Sequence, residues 1–411
     1  MTAEPTPPTT RGALEKREAR LAWSLLLPTI TIVSLVILLP LLAIFWISVK
    51  PVGLADLRPV TATVREALRG SGDDYRIEYR VRNSSQKKSV TGVGFTDTIP
   101  DGVTLGALPE QCTLAEATLN CEFGDIQGGF NERLRIPVTL ATDPDSAENA
   151  SEGSAPVVRG TGDSVLTNAE FTLENFARIF DSQEFLSVLW ATLFYTVVGT
   201  VGALVVGLFA AILLNKSFRG KGILRGLYLF PYVSPIIAVA FTWITLFDPF
   251  SGSLNALLLQ MGVTEAPINF FGQKPQALIM VTVFEIWRYF PLSFLFILAR
   301  MQSIDTDMYE AADMDGASPF QKFWYLSLPM LLGILSVLFL LRFIWTFNKF
   351  DDIFLLTGGN AGTRTLTVNV YEQAFAISNI GAGSAVAVVI FAVLLCFSFL
   401  FMRYLSQEEG L

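Results

Sequence analysis

EAADMDGASPFQKFWYLSLP, residues 310–329, is the one long polar interruption between two strongly hydrophobic runs in the C-terminal half of the chain. Its chemistry describes a helix, a sharp stop and a second helix. Asp305 or Ser303 can cap the first helix, because a short oxygen-bearing side chain satisfies backbone N–H groups left without partners there. No breaker falls between Met308 and Met314. Gly316 suits the left-handed residue that ends a helix. Ser318-Pro319 then reads as the N-cap and first residue of the next helix. Ala311 and Ala312 leave a small-residue face that another surface can approach closely, and Glu310, Asp313 and Asp315 are its charges. By shape this is a docking element set between two spans.

The rest of the composition agrees with a bilayer. Of 411 residues, 52% are hydrophobic and only 16% are charged, and the mean hydropathy is +0.49. A soluble domain carries about 25% charged residues. The net charge of −8 comes mostly from one acidic block, roughly residues 54–184. The chain has no histidine, which excludes imidazole metal ligands and Ser-His triads. Three cysteines are too few for a disulfide scaffold. No Gly-x4-Gly-Lys-Ser/Thr loop occurs, so this chain is not expected to bind ATP itself. No catalytic residue, metal site or bound cofactor is expected.

Residues 1–20 are rich in Pro and Thr and then basic, with Arg11, Lys16, Arg17 and Arg20. They are expected to form a disordered cytoplasmic tail. Residues 21–50 form the first span, because Trp23 to Val49 outruns the core of a cleavable signal and has no small-residue cleavage site. The cations before it place the N-terminus in the cytoplasm. Five further spans are expected at about 185–214, 223–247, 276–299, 330–350 and 383–404. The third is interrupted by Pro231 and Pro235. Lys216, Arg219, Lys221 and Arg225 mark the loop before it as cytoplasmic. Parity then puts residues of about 50–184 outside and both termini and the 310–329 stretch inside. Between the linker and the second span, Leu173, Phe176, Ile179 and Phe180 share one face of an amphipathic helix.

Residues 51–168 change character. Tyr75, Ile77, Tyr79 and Val81 alternate with charged residues, as do Leu119, Cys121 and Phe123 with polar ones, and Leu134, Ile136, Val138 and Leu140 with Arg135, Pro137 and Thr139. Period two means half-buried strands. With turn-rich segments between them they predict a small antiparallel β-sandwich, in which Pro137 points to an edge strand. Residues 141–168, acidic and rich in Gly and Ser, are expected to be a solvated linker. Cys112 and Cys121 lie nine apart with strand-like flanks. A disulfide suits them if the domain is outside; two buried thiols are the other arrangement.

Charged groups within spans are costly and usually face a cavity or a partner. Glu285 and Arg288 sit three apart on one helical face, and Arg342 lies inside the fifth span. The first two either neutralise each other, or Arg288 and its neighbour Tyr289 face a transport path. Between Trp345 and Phe375, Asn348, Asp351, Asn360 and several Thr residues mix with aromatics. Such a mixture suits hydroxyls and ring faces of a sugar, and equally suits closing a loop.

Glu310-Ala311-Ala312, three residues, Gly316, nine residues, Leu326, one residue and Leu328-Pro329 together resemble the EAA loop of ABC-importer permeases. Leu326 stands where that family often has Ile. Further elements are similar to the sugar class of these permeases, the maltose and glycerol-phosphate type: Phe218 to Gly222, Phe347-Asn348, Phe350-Asp351, Leu356 to Gly359, and Thr363 to Leu366. Asn360-Ala361 replaces the Gly-Pro common after the double glycine. The resemblance covers roughly residues 20–50 and 170–405. It implies an all-α polytopic membrane protein of six spans, the type I importer permease fold, with the core at 169–411 and the loop at about 301–329. It implies that Glu310, Ala311, Ala312, Asp313, Gly316, Leu328 and Pro329 dock a separate ATP-binding subunit that carries the ATP and Mg. Also implied are a second permease chain in a heterodimer, an extracytoplasmic solute-binding protein, a carbohydrate or polyol cargo and a place among the lipids of the bacterial inner membrane, with no enzymatic chemistry and no nucleic acid. VTGVGFTDTIPDGVTL with Cys112, Cys121 and FGDI resembles immunoglobulin-like conserved-repeat domains of bacterial surface proteins, so the sandwich reads as an extracytoplasmic insertion. Two alternatives stay open: an ATP-independent secondary transporter or channel, and a membrane-anchored surface-binding protein acting through the β-domain.

Overall fold

The computed structural model describes residues 13–71, 74–86 and 88–408, so the first twelve residues of the expected tail and the last three of the chain lie outside the described residues. Two compact units emerge, Lys50–Thr172 and a helical unit of Met1–Val49 with Leu173–Leu411.

The first helix begins at Ala13. α1 (Ala13–Val33) passes through a π turn (Ser34–Leu38) into α2 (Leu39–Ser48). Residues 13–20, expected in the tail, are thus helical; ALEKREAR is built of strong helix formers with no breaker. The π turn lies just ahead of Pro40. Proline has no N–H to give and its ring crowds the carbonyl four residues back, here Val36 in the middle of that turn.

In the second unit, β1 (Ala62–Ser71), β2 (Asp74–Asn83), β3 (Val90–Thr98), β4 (Val103–Leu105), β5 (Cys112–Ala115), β6 (Thr118–Ile126) and β7 (Asn131–Leu140) precede α3 (Pro144–Gly153) and β8 (Val157–Gly162). They form two four-stranded sheets, β1-β2-β7-β4 and β5-β6-β3-β8, with antiparallel pairing throughout. The alternating residues read from the sequence line the core: Ile77, Tyr79, Val81, Leu119, Cys121, Leu134, Ile136 and Val138 are buried around Phe95. Cys112 and Cys121 oppose each other across β5 and β6 and are disulfide-bonded, with an S–S distance of 2.05 Å.

Two expectations for this unit fail. β7 is an interior strand, not an edge. β4 pairs only with residues 138–140 of it, and Pro137 lies just beyond, its carbonyl accepting the Gly106 N–H at 2.7 Å. A strand residue's N and O face the same side, so the N–H that proline lacks would point where the ladder has ended. Nor is 141–168 a linker. α3 buries Ala147 in the core, and β8 pairs with β3 from Val157 to Gly162. Composition registers the acid, Gly and Ser of this segment, while its folding depends on a few side chains meeting distant partners.

The helical unit resumes with α4 (Glu174–Phe180), α5 (Phe185–Asn215), α6 (Lys221–Val233), α7 (Ile236–Leu246), α8 (Ser253–Gln260), α9 (Gln276–Gln302), α10 (Thr306–Met314) and α11 (Pro319–Lys322). After them come α12 (Leu328–Phe347), α13 (Asp351–Thr357), α14 (Leu366–Tyr371) and α15 (Ile380–Glu408). Among the described residues five helices are long and apolar enough to cross a bilayer, and α6 with α7 makes a sixth if that pair is one span. The pair is bent by 90°. Pro235 explains the break: it restricts Ser234 to an extended backbone, φ −63° and ψ 143°, and so ends α6. α5 and α9 pack closely because glycines face the contact. A Cβ on Gly202 would come 2.4 Å from Ile286 Cδ1, and one on Gly207 would come 2.7 Å from Ser293 Cβ. At the other end of the unit, the Asn175 side-chain amide of α4 donates to the Ser48 carbonyl at the end of α2, at 2.9 Å.

Candidate functional site

The 301–329 segment folds as its local chemistry requires. Asp305 caps α10 by accepting the Asp307 N–H at 3.1 Å. Gly316 takes φ +75°, and the Ala317 N–H turns back to the Ala312 carbonyl at 2.9 Å, closing the helix end. Ser318 and Gln321 cap α11 reciprocally, with Pro319 as its first residue. α11 then runs through a second π turn, Phe323–Ser327, into α12. As at Pro40, a proline follows: Pro329 lies four residues after Tyr325, in the middle of the turn. α11 and the span are therefore one continuous helix, Pro319–Phe347.

Two contacts clamp α10 against it. Lys322 Nζ pairs with Asp313 Oδ1 at 2.5 Å, and Tyr309 Oη lies 2.9 Å from Ser327 Oγ. Asp313 is thus tied up inside the loop. Ala312 and Leu328 are half-buried, whereas Glu310, Ala311, Gly316 and Pro329 are exposed. Around them stand apolar side chains that sequence reasoning passed over: Met314 is 89% exposed, Tyr325 78% and Phe320 70%. Their signal was available, since each is a large apolar residue in an otherwise polar connector.

The charges within the spans form a second assembly, and not the one their spacing suggested. Glu285 does not pair with Arg288. Glu285 Oε1 accepts from Arg342 Nη2 at 2.7 Å and from Thr346 Oγ1 at 2.9 Å, and Oε2 accepts from the Tyr195 hydroxyl at 3.1 Å. Glu285 and Arg342 are both buried. Three helices, α5, α9 and α12, meet at this carboxylate, and Gly199 makes room for it: a Cβ there would come 3.0 Å from Glu285 Cγ. Arg288 reaches the other way. Its guanidinium donates to the Pro231 and Ser234 carbonyls, at 3.1 and 3.0 Å, at the C-terminal end of α6. It satisfies carbonyls that the break between α6 and α7 leaves without helical partners.

Tyr289 sits among three cations. Its hydroxyl is bonded by Lys349 Nζ, and the charged centres of Lys349, Arg342 and Arg288 lie 4.4, 4.8 and 5.7 Å from its ring centroid. Lys349 also lies 3.3 Å from Asp351 and 4.0 Å from Asp352. Asp352 is fully buried, and its Oδ1 has no hydrogen-bond partner among the described residues. Asn348 and Asn360 stay apart from this cluster, each donating to its own backbone, at Ile344 and Thr357. Of the candidate path residues, the fold thus gathers Glu285, Tyr289 and Asp351 around one cluster, with Arg288 at its border. Tyr195, Thr346, Lys349 and Asp352 were missed. Only Arg342 and Thr346, one helical turn apart on α12, carried a local hint.

Residues 203–408 match the family described as binding-protein-dependent transport system inner membrane component. The chain belongs to that family. It is an ABC-importer permease, a multi-pass inner membrane transport subunit and not an enzyme. It is 36% identical over 225 residues to the inner membrane ABC transporter permease YcjO of Escherichia coli K12, covering 54% of this chain and 75% of that one. It is 32% identical over 232 residues to the trehalose/maltose transport system permease MalF of Thermococcus litoralis, covering 56% and 78%. In fold, 58% of the permease superposes on 83% of a chain from the crystal structure of a bacterial alginate ABC transporter in complex with an alginate pentasaccharide-bound periplasmic protein, with a TM-score of 0.54 and 19% identity. The helical unit therefore has the type I importer fold.

Proposed function

We propose that this permease forms half of the transmembrane path of an ATP-driven importer for a carbohydrate or related polyol, and that its EAA loop docks the ATPase that drives it. The observation that carries this is the continuity of Pro319–Phe347: a push on the exposed face of α11 reaches α12 without crossing a break, and α10 is tied to that helix by Lys322–Asp313 and Tyr309–Ser327. α12 brings Arg342 and Thr346 to Glu285, so motion of the docking helix is passed on to α5 and α9. The exposed Met314, Phe320 and Tyr325, with the exposed Glu310 and Asp315 on the same segment, supply the apolar and polar side chains of a protein interface.

ATP closure would draw the loops of two permease chains together and open the path toward an extracytoplasmic solute-binding protein, and hydrolysis would reset it. ATP and Mg belong to the partner ATPase. Both termini lie in the cytoplasm and residues of about 50–184 outside, following the basic segments at residues 11–20 and 216–225. Support for the cargo class comes from relatives named for trehalose/maltose, sulfoquinovosyl glycerol and sn-glycerol-3-phosphate transport. The second permease chain is expected to differ from this one.

Glu310→Lys and Gly316→Val test the docking role. A side chain at Gly316 is strained by its φ of +75°, although the space around it is open. Each variant should reach the membrane in normal amount and lose uptake and stimulated ATP hydrolysis. Normal transport by both would sink the proposal.

A further inference from the structure

The outward face of β1, β2 and β7 carries seven arginines. Register places Arg65, Arg80 and Arg133 side by side across the three strands, with Arg69 opposite Arg76, and Arg82 and Arg135 further along the same face. Alternation confirms the side: Ile77, Tyr79, Val81, Leu134 and Ile136 point into the core, so their sequence neighbours point out. Two carboxylates share this face, Asp74 at its end and Glu78. Glu78 is held between Arg76 and Arg135, at 3.0 and 3.2 Å, and the Arg76 hydrogen bond keeps its carboxyl below the usual range. Arg65, Arg69, Arg80, Arg82 and Arg133 have no carboxylate partner among the described residues. Yet residues 50–172 as a whole carry 12 Lys and Arg against 18 Asp and Glu. Like charges directly opposite destabilise a sheet. A row of three in an acidic domain is a local cost that folding alone does not explain.

We propose that this strip binds a linear anionic polysaccharide. The inference rests on the extracytoplasmic placement of the domain proposed above. Four strip positions on β2, from Arg76 to Arg82, span about 20 Å, and three strands about 10 Å. An elongated strip of separate positive centres fits a chain of repeated carboxylates. The guanidinium fork is matched to them and holds each bidentately. The other residues of the face, Thr63, Ala67, Ser71, Asn131, Pro137 and Thr139, include no aromatic and no large aliphatic side chain. Single-stranded nucleic acid would need aromatic platforms for its bases, and this face has none. What the face offers is electrostatic capture along a line of guanidinium groups.

The test uses the full-length permease in nanodiscs of zwitterionic lipid, titrated with fluorescent polygalacturonate and, separately, with neutral dextran. Polygalacturonate should bind with an affinity that falls linearly as salt rises on logarithmic axes, and dextran should not bind. The triple variant R65Q/R80Q/R133Q should lose at least tenfold in affinity and have a shallower salt slope. Arg159→Gln, whose side chain pairs with Glu122 on the other sheet, should bind as the parent does. Removing like charges should leave the melting of the sandwich unchanged or raised; if the glutamine variant nonetheless misfolds, R65K/R80K/R133K keeps the charge and must keep the salt slope. Undiminished binding by a folded glutamine variant, equal binding of dextran, a flat salt response, or association with anionic vesicles alone would overturn the proposal. Nanodiscs expose both faces of the protein, so an error in the side of the domain would not alter the result; protease access in sealed vesicles reads the side separately.

Discussion

Both units of this permease bury carboxylates away from free solvent, and they neutralise them in different ways. In the helical unit Glu285 is met by a guanidinium from another span, Arg342, at 2.7 Å. In the sandwich, among the described residues, Glu66 and Asp97 are met by hydroxyls and by each other, with no cation bonded to either. Ser151 bonds one oxygen of Glu66, Ser154 Oγ lies 2.5 Å from the other and 2.7 Å from Asp97, and Tyr79 donates to Asp97 at 2.6 Å. Four contacts share three hydroxyl protons, so the set is completed when a carboxyl holds a fourth. Burial pushes Glu66 up to about 7, despite the opposing serine bonds, and makes it the holder. Burial also raises Tyr79, which keeps its hydroxyl a donor. The lesson is about the surroundings. At a half-buried site a proton from water can discharge a carboxylate, whereas within a span the counter-charge must be built into a neighbouring helix.

The largest expected effect tests the core side of this contrast. Arg342→Met alone leaves Glu285 buried and unpaired, a situation that costs about 3–5 kcal/mol. Thermal melting in detergent should show a large loss for that variant. The double variant Glu285→Leu/Arg342→Met should recover most of it. Equal damage in single and double variants would mean that the pair is not a unit.

A smaller effect sharpens the sandwich side. Unfolded, Glu66 titrates near its ordinary 4.5; folded, near 7. Between those values the folded state holds a proton that the unfolded state has released, so stability falls as pH rises and the loss is complete above about pH 7. Discounted for partial exposure, the loss is on the order of 1–2 kcal/mol. Unfolding of the sandwich, followed by a probe within residues 50–172 between pH 4.5 and 8, should show it. Glu66→Gln supplies a permanent donor and should flatten the profile. A profile that keeps its slope in that variant would assign the proton elsewhere.

Smallest of all is Ser154→Ala. It removes the one hydroxyl that touches both carboxylates and should cost about 1 kcal/mol, with local loosening of α3 seen as faster amide exchange in residues 144–153. Unchanged exchange there would show that Ala147 and Ser151 hold the helix without it.

The loop from Asp305 to Pro329 was legible nearly residue by residue because its signals are local. A cap, a left-handed glycine and a proline at a helix start each act within four residues of chain. Three strands of the sandwich were legible for the same reason, since Tyr75 to Val81, Leu119 to Phe123 and Leu134 to Leu140 alternate. The proton-sharing cluster was not, because Glu66, Asp97 and the Ser151–Ser154 pair lie far apart in the chain and none is unusual by itself. Segment 141–168 was misjudged on composition for that reason. Glu285 and Arg288 misled in the opposite way: spacing made them look like partners, when each had a closer one on another helix.

By itself the sequence determined that the chain enters a membrane, where its spans and three of its strands fall, how the 310–329 loop is built and which family it resembles. Hydrophobic length, periodicity and capping are properties of neighbouring residues, and they survive in a one-dimensional string. Only the tertiary structure decided that Glu285 meets Arg342, that Arg288 closes the break between α6 and α7, that α3 and β8 belong to the sandwich, and that seven arginines share one face. Each depends on side chains brought together from distant positions, where the cost of an unpaired charge or an unsatisfied carbonyl selects the partner and sequence separation carries no weight.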